Sequence, residues 1–387
     1  MSNNTELVQQ GIAAVKAGNL AAARLLFANV LQTEPENEVA WLWLSGAVAS
    51  NAERKYCIER VLTINPNNQA AKKDLSSLGD VESKNPLPTT ATINTPKTPF
   101  VLSRGVQRLP YKRKVQLAAL SRDGLYLATI DDQFQLSLWR VSDKQKQWTT
   151  EDVFGIGNLM FSPDGTIVAV SSDSCVEFFE TRTGKLVKNL KIPSDKILYS
   201  EDGKSLIIAN SLDQLIYVVD PRSGQKKRSI KTPNQVLKSV DFSANGQWIA
   251  ATFQDQGCFV WSAIDGRLAY QFNDDTIEVC FHPTSKYLAS SELLGAVRIR
   301  NVNNGEFINS VGPVANLIRG LKWSPDGSRF VVWDNEAEVY MYDAIDYQLQ
   351  NAYKGKAGKI EDVILSSREG QIIIRNEDGT VEFWSIS

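Results

Sequence analysis

The sequence predicts a multidomain α and all-β chain: short N-terminal α-helical hairpin repeats followed by a seven-bladed β-propeller. Two observations predict it. A turn phrase recurs seven times at a near-constant interval. The first eighty residues carry helical rather than strand periodicity. The phrase reads Ser121-Arg122-Asp123-Gly124, Ser162-Pro163-Asp164-Gly165, Ser200-Glu201-Asp202-Gly203 and Ser243-Ala244-Asn245-Gly246. It blurs to His282-Pro283-Thr284-Ser285, returns as Ser324-Pro325-Asp326-Gly327, and ends loosely as Ser366-Ser367-Arg368-Glu369-Gly370. Its glycine position (Ser285 in the fifth copy) steps by 41, 38, 43, 39, 42 and 43 residues. A repeat of that length marks propeller blades, not a compact enzyme domain.

Each unit reads as strand a before the phrase, strand b after it, a polar turn, strand c, and a weaker outer strand d. In the first unit strand a is Val115–Leu120, strand b starts at Leu125 and strand c is Leu136–Arg140. Gly after Asp or Asn, as in Asp265-Gly266 and Asn304-Gly305, supplies the positive φ that tight hairpins need. The last unit reaches strand c at Val381–Ile386 and has no fourth strand before Ser387. A bare edge invites aggregation. Val101–Leu109 is the spare strand, so residues 101–109 are expected to close blade seven and the propeller to occupy 100–387.

Phe161-Ser162-Pro163-Asp164-Gly165, with Trp139, Trp261 and Trp384 at the ends of strands c, resembles the WD-repeat family over residues 100–387. The resemblance implies a ring used for binding. Two features depart from the family. The Asp after the Trp position survives only as Asp220 and Asp343, and the Gly-His pair ahead of strand a is missing. The family's buried hydrogen-bond network is therefore expected to be lost. Apolar packing through Phe161, Tyr199, Phe242, Phe281 and Trp323 should replace it.

Residues 1–80 read as helices from about Glu6 to Ala17, Leu20 to Thr33, Val39 to Ser50, Ala52 to Ile64 and Gln69 to Leu78, with Pro35 and Pro66 as stops. Gly11, Gly18, Ala23, Phe27 and Pro35, then Trp41 and Leu44, resemble the tetratricopeptide repeat. The second copy is short, 31 residues from Pro35 to Pro66, and has Ser45 where the family places glycine. The positions that would grip a peptide carboxylate are the apolar Val8, Ile12 and Trp43, so that clamp is not expected. Trp41 and Trp43 read either as packing on opposite sides of a layered stack or as a partner surface. Residues 81–99, with Pro86, Pro88, Pro96, Pro99 and five threonines, read as a semi-rigid linker.

Composition narrows the chemistry. A net charge of −2 leaves no basic footprint, so nucleic acid is not an expected partner. The longest apolar run, Val39–Ala49, is too short to span a bilayer, and no secretory leader is visible. Cys57, Cys175, Cys258 and Cys280 lack metal spacing and read as free thiols in a reducing cytoplasm. The lone histidine, His282, sits in the turn phrase and reads as structural. No cofactor, metal or small-molecule substrate is expected.

One grouping stands out. The connections into blade one (Lys112, Arg113, Lys114) and blade seven (Lys354, Lys356, Lys359) fall on one face of neighbouring blades. These six cations are expected to dock an acidic partner surface or a nucleic-acid backbone. The competing reading is a self-compensated rim, because Asp131, Asp132, Glu377 and Asp378 share that face. The channel mouth mixes Lys196, Glu278, Lys322 and Asp362. The expected function is a non-enzymatic scaffold or adaptor that co-recruits protein partners through the propeller loop face and the helical module. Two alternatives stand beside it: a sensor or regulatory subunit of a larger bacterial signalling or defence complex, and an enzyme using Glu278 and Asp362.

Overall fold

The computed structural model describes residues 3–34, 36–48, 51–78, 104–151, 153, 157–254, 256–272, 276–292, 296–311, 318–334, 337–354, 359–367 and 371–385. Two compact units are present, one helical and one all-β. The expected linker, 81–99, lies outside the described residues.

The helical unit holds α1 (Asn3–Lys16), α2 (Leu20–Thr33), α3 (Glu38–Ser45), α4 (Asn51–Ile64) and α5 (Gln69–Ser77). Asparagine side chains cap three starts: Asn19 accepts from Ala22 N, Asn37 from Ala40 N and Asn68 from Ala71 N. Ala23, Phe27, Val30, Leu31, Trp41, Leu44, Ile58 and Val61 form its core. Gly11 is needed there, because a Cβ would stand 2.7 Å from the Phe27 ring. Helix α3 is shorter than expected and stops at Ser45 rather than near Ser50. Its end tightens at Gly46, whose N–H donates to Trp43 O at 3.2 Å.

The all-β unit is a ring of seven four-stranded antiparallel sheets. Strands run a to d from the channel outward, and neighbouring blades meet through apolar clusters. Ile130 and Leu138 of blade one pack with Phe161 and Val170 of blade two. Leu127 and Trp139 of blade one pack with Ile373 and Phe383 of blade seven. Of the aromatics expected between blades, Phe161, Phe242, Phe281 and Trp323 are buried, while Tyr199 is half-buried.

The turn phrase carries a repeated latch. Its serine hydroxyl donates to the Asp or Asn two residues on, at 2.6 Å in blade one, 2.6 in blade two, 2.7 in blade three, 2.8 in blade four and 2.5 in blade six. The same oxygen accepts the first N–H of strand b, as Tyr126 N to Ser121 Oγ at 2.9 Å. In blade five the imidazole takes over: Thr284 N donates to His282 Nδ1 at 3.1 Å. Ser285 then holds φ +58 where the other turns use glycine, a strain of about 1 kcal/mol.

One sequence expectation needs correction. Blade one keeps a buried polar network despite lacking the family's histidine. Trp139 Nε1 donates to Thr129 Oγ1 at 2.9 Å, and the Tyr111 hydroxyl donates to the buried Asp131 carboxylate. The tyrosine comes from the connection that leads into strand a. Polar contacts therefore join apolar packing in this blade.

The outer strand of the last sheet is Arg104–Arg108, paired antiparallel with Val381–Ser385. Arg108 adds an ion pair to Glu382 at 2.9 Å. Residues 101–103 lie outside the described set. Deleting residues 104–108 should lower the melting temperature by more than about 10 °C, because blade seven loses a whole strand and its cover. Thermal denaturation followed by circular dichroism measures this, and an unchanged melting temperature would contradict it.

Candidate interaction surface at the seam of blades seven and one

After strand Arg104–Arg108, the chain crosses to blade one along the b–c turn of blade seven. Backbone bonds pin both ends of the crossing: Leu109 N to Val381 O at 2.9 Å and Val115 N to Gly379 O at 3.1 Å. Between them lies an open cleft of about 570 Å³, walled by Arg108, Tyr111, Lys112, Arg113 and Lys114 on one side and by Asp132, Gln133, Asp378 and Thr380 on the other. The approach at Gly379 (φ +81) is close, since a Cβ there would sit 2.3 Å from Lys114 Cγ.

Asp131 is the buried hub beneath the cleft. Its carboxylate accepts from Gln133 N and Gln135 N at 2.9 Å each, from Arg113 Nη1 at 3.1 Å and from the Tyr111 hydroxyl. Burial alone would raise its pKa, but these donors outweigh burial and hold the carboxyl below its usual range. Burial and the neighbouring carboxylate push Tyr111 up to about 12. The Tyr111 ring meets Trp139 edge-on, with centroids 5.2 Å apart, and Lys146 Nζ stands 4.7 Å above it.

The five of the six expected cations that are described do not converge. Arg113 is committed to Asp131 and Gln135. Lys354 ends the outer strand of blade six and pairs with Glu338 at 2.8 Å, away from the cleft wall. Lys359 is half-buried and off that wall, and Lys356 lies outside the described residues. Lys112 and Lys114 remain: both are exposed in the cleft, and among the described residues neither has an ion-pair partner. Arg108 and Tyr111 also line the cleft and were not singled out from sequence. An aromatic directly before Lys112-Arg113-Lys114 was the available signal.

In the helical unit, Trp41 is 2% exposed, so it packs the core and offers no surface. Arg60 lies over its ring at 5.8 Å. Trp43 is half-buried, with Lys16 Nζ at 5.9 Å from the ring. Of the pair, only Trp43 can meet a partner.

The channel-lining side chains bind blade to blade. Lys322 donates to Asp362 at 2.6 Å and to Val363 O at 3.0 Å. Ser239 donates to Glu278 at 2.8 Å, and Asp241 accepts from Phe281 N at 2.6 Å. Glu278 sits in an irregular stretch of strand a, between the paired Thr276 and Val279. Burial pushes Glu278 up to about 7 and Asp241 up to about 6, against the pull of their hydrogen-bond donors and nearby lysines. His282 shares its Nε2 proton with Gly327 O at 3.0 Å, and burial lowers its pKa. Among the described residues no cluster of His, Cys, Asp and Glu suits a metal, all four cysteines are free thiols, and no helix is long and apolar enough to cross a membrane.

Removing the Asp131 carboxylate should be costly. Asp131→Ala should destabilise by about 2–4 kcal/mol, because it strands a half-buried tyrosine hydroxyl and two turn N–H groups. A depressed carboxyl pKa adds stability that is present above the unfolded value, near pH 4, and lost as pH falls through the folded value. The gap between wild type and variant, read from urea melts, should therefore narrow below about pH 4. A pH-independent gap would contradict this account.

Glu278 has the opposite sign. Its raised pKa stabilises fully below the unfolded value, near 4.5, and that contribution is lost as pH rises through about 7. Glu278→Gln should therefore match wild type near pH 4.5 and melt a few degrees higher at pH 8. Equal melting temperatures at both pH values would contradict it.

A family model described as WD domain, G-beta repeat matches residues 224–262, from the c–d turn of blade three through strand c of blade four. Periodic tryptophan protein 2 of Arabidopsis thaliana is 23% identical over 269 residues, covering 62% of this chain and 30% of that protein. Cilia- and flagella-associated protein 52 of Homo sapiens is 20% identical over 233 residues, covering 58% and 38%. Apoptotic protease-activating factor 1 of Rattus norvegicus is 24% identical over 233 residues, covering 58% and 18%. The match thus spans well under two thirds of each relative's length. A match to the WD-repeat model at 224–262, set in a seven-bladed ring, is what the family comparison and the fold give together.

Proposed function

We propose that the chain is a non-enzymatic protein-interaction scaffold whose propeller holds a partner at the blade seven–one seam. One observation carries this reading: Lys112 and Lys114 stand exposed in an open cleft whose neighbouring charges, Arg113 and Arg108, are already paired. A wall whose backbone is pinned at both ends and which carries two unspent cations suits an acidic protein surface, although Asp132 and Asp378 on the opposite wall offset part of that charge. Similarity to WD-repeat proteins supports an interaction role.

The helical unit, over residues 1–80, resembles tetratricopeptide repeats and offers Trp43 as a second contact. With residues 81–99 as tether and 100–387 as propeller, co-recruitment would raise the effective concentration of two partners. Four free thiols fit a reducing cytoplasm. The enzyme reading has less behind it. Asp362 is tied to Lys322 and Glu278 accepts from Ser239, so both carboxylates serve as links between blades.

Affinity capture with the tagged full chain from its native host tests the reading. At least one protein should be retained, and Lys112→Glu with Lys114→Glu should reduce it by about tenfold without moving the melting temperature. Equal recovery by the double variant would remove the seam as the docking face. No protein retained above a tag-only control would overturn the scaffold reading itself.

A further inference from the structure

The outer strand of blade three, Lys226–Lys231, is paired on one side only, with Leu215–Val219. Lys226, Lys227, Arg228 and Lys231 along it are all exposed. Residues 220–231 hold five cations against one acid, Asp220, and residues 180–192 of blade two hold four against Glu180. The two stretches touch: Lys188 Nζ donates to Arg222 O at 2.6 Å and to Pro221 O at 3.1 Å. Nine cations against two acids thus form one continuous strip in a chain whose net charge is −2.

The contacts within the strip orient these cations without neutralising them. Arg228 donates to the Asp265 carbonyl at 3.3 Å, and Lys226 lies 3.8 Å over the Tyr217 ring. Among the described residues, the ion pair within the strip, Lys227 to Asp220, is long, at 3.8 Å, and solvent-exposed, so it is worth little. Lysine on an edge strand also guards against aggregation. That purpose does not explain the strip, because the outer strands of blades four and five, Leu268–Phe272 and Phe307–Val311, carry no charge at all.

We propose that this edge is a docking strip for an acidic, extended polypeptide segment, separate from the seam. An outer strand offers unpaired backbone groups beside its side chains. A bulge opposite Val218 and Val219 breaks the alternation between Lys226 and Arg228, so the strand presents cations on both faces of its open edge, within reach of the carboxylates of an added strand. Leu186 and Val187, 45% and 53% exposed on the adjoining strand of blade two, give apolar contact. A nucleic-acid strand would want exposed rings for stacking, and the ring within the strip, Tyr217, is buried beneath Lys226.

Fluorescence anisotropy on the full chain tests this with three probes: a labelled peptide of alternating Glu and Val, a single-stranded oligonucleotide of equal length, and phosphatidylserine vesicles. The peptide should bind, weaken as salt rises from about 50 to 500 mM, and lose about fivefold when proline replaces valine at equal charge. Lys226→Gln, Lys227→Gln, Arg228→Gln and Lys231→Gln together should cost at least about tenfold. Lys185→Gln with Lys191→Gln and Lys231→Gln breaks none of the contacts above and should still cost severalfold, which covers a misfolded first variant. Lys112→Glu with Lys114→Glu should leave peptide binding intact, so failure here and failure of the seam reading are told apart. Unchanged binding in both strip variants, loss in the seam variant, or binding of oligonucleotide or vesicles but not peptide would overturn the proposal.

Discussion

The pairing of Arg104–Arg108 with Val381–Ser385 is the constraint on which the ring depends. It joins residues 274 apart in sequence, as Arg108 and Glu382 show. Bringing such distant points together costs roughly 5 kcal/mol of chain entropy. The Arg108–Glu382 pair, with the arginine side chain 61% exposed, contributes at most about 1 kcal/mol against that. The buried side chains at the join must supply the rest. Leu109, Val381 and Phe383 are each 6% exposed or less, worth about 1.5–3 kcal/mol apiece. Closure also creates the seam cleft. The connection pinned by Leu109 and Val115 has to pass over the b–c turn of blade seven, and the space beneath it is the cleft.

Within the ring, the recurring turn does more than separate strands. Turns of different blades touch. Glu201 N donates to Ala244 O at 3.1 Å, Asn245 N to Ser285 Oγ at 3.1 Å, and Ser367 Oγ to Arg122 O at 2.5 Å. Arg122 also pairs with Glu201 two blades away. A turn that fixes its own strands thereby also positions the next blade. His282 shows how the device tolerates substitution. Its ring caps the turn with one nitrogen, reaches Gly327 of blade six with the other, and packs on Trp323 at 4.7 Å. The neutral ring is required for this, which is consistent with burial lowering its pKa.

Much of the architecture was legible because it repeats. Seven copies of one phrase define seven blades whatever each copy lacks, whereas the end of α3 at Ser45 was hidden, because Gly46 lies inside a run that keeps helical apolar spacing. The polar network of blade one was not legible. Its tyrosine stands at Tyr111, where the family's histidine would be sought, and only the fold shows that its hydroxyl reaches Asp131. Trp41 and Trp43 looked equivalent in sequence, yet the helix turns one inward to the core and leaves the other half-buried. Lys354 looked available until Glu338, sixteen residues earlier, was placed opposite it by antiparallel pairing.

Charge illustrates why counting cations along a chain is a poor guide to where a partner sits. A lysine's availability depends on what the fold sets beside it. Arg113 and Lys354 each meet a carboxylate that is nearly buried, 1% and 9% exposed, and removing either cation would strand that carboxylate. Lys112, Lys114, Lys226 and Arg228 meet open solvent, a carbonyl or an aromatic face instead, and Lys227 has only a long, exposed pair to Asp220, so their charge is still available to a ligand. The two sites then differ in kind. The seam is a cleft built by closure, with its geometry fixed at both ends. The blade-three edge is a linear strip whose backbone is open along its length. A compact acidic surface is proposed for the first and an extended acidic segment for the second, so the two rest on different elements of the ring and are tested separately.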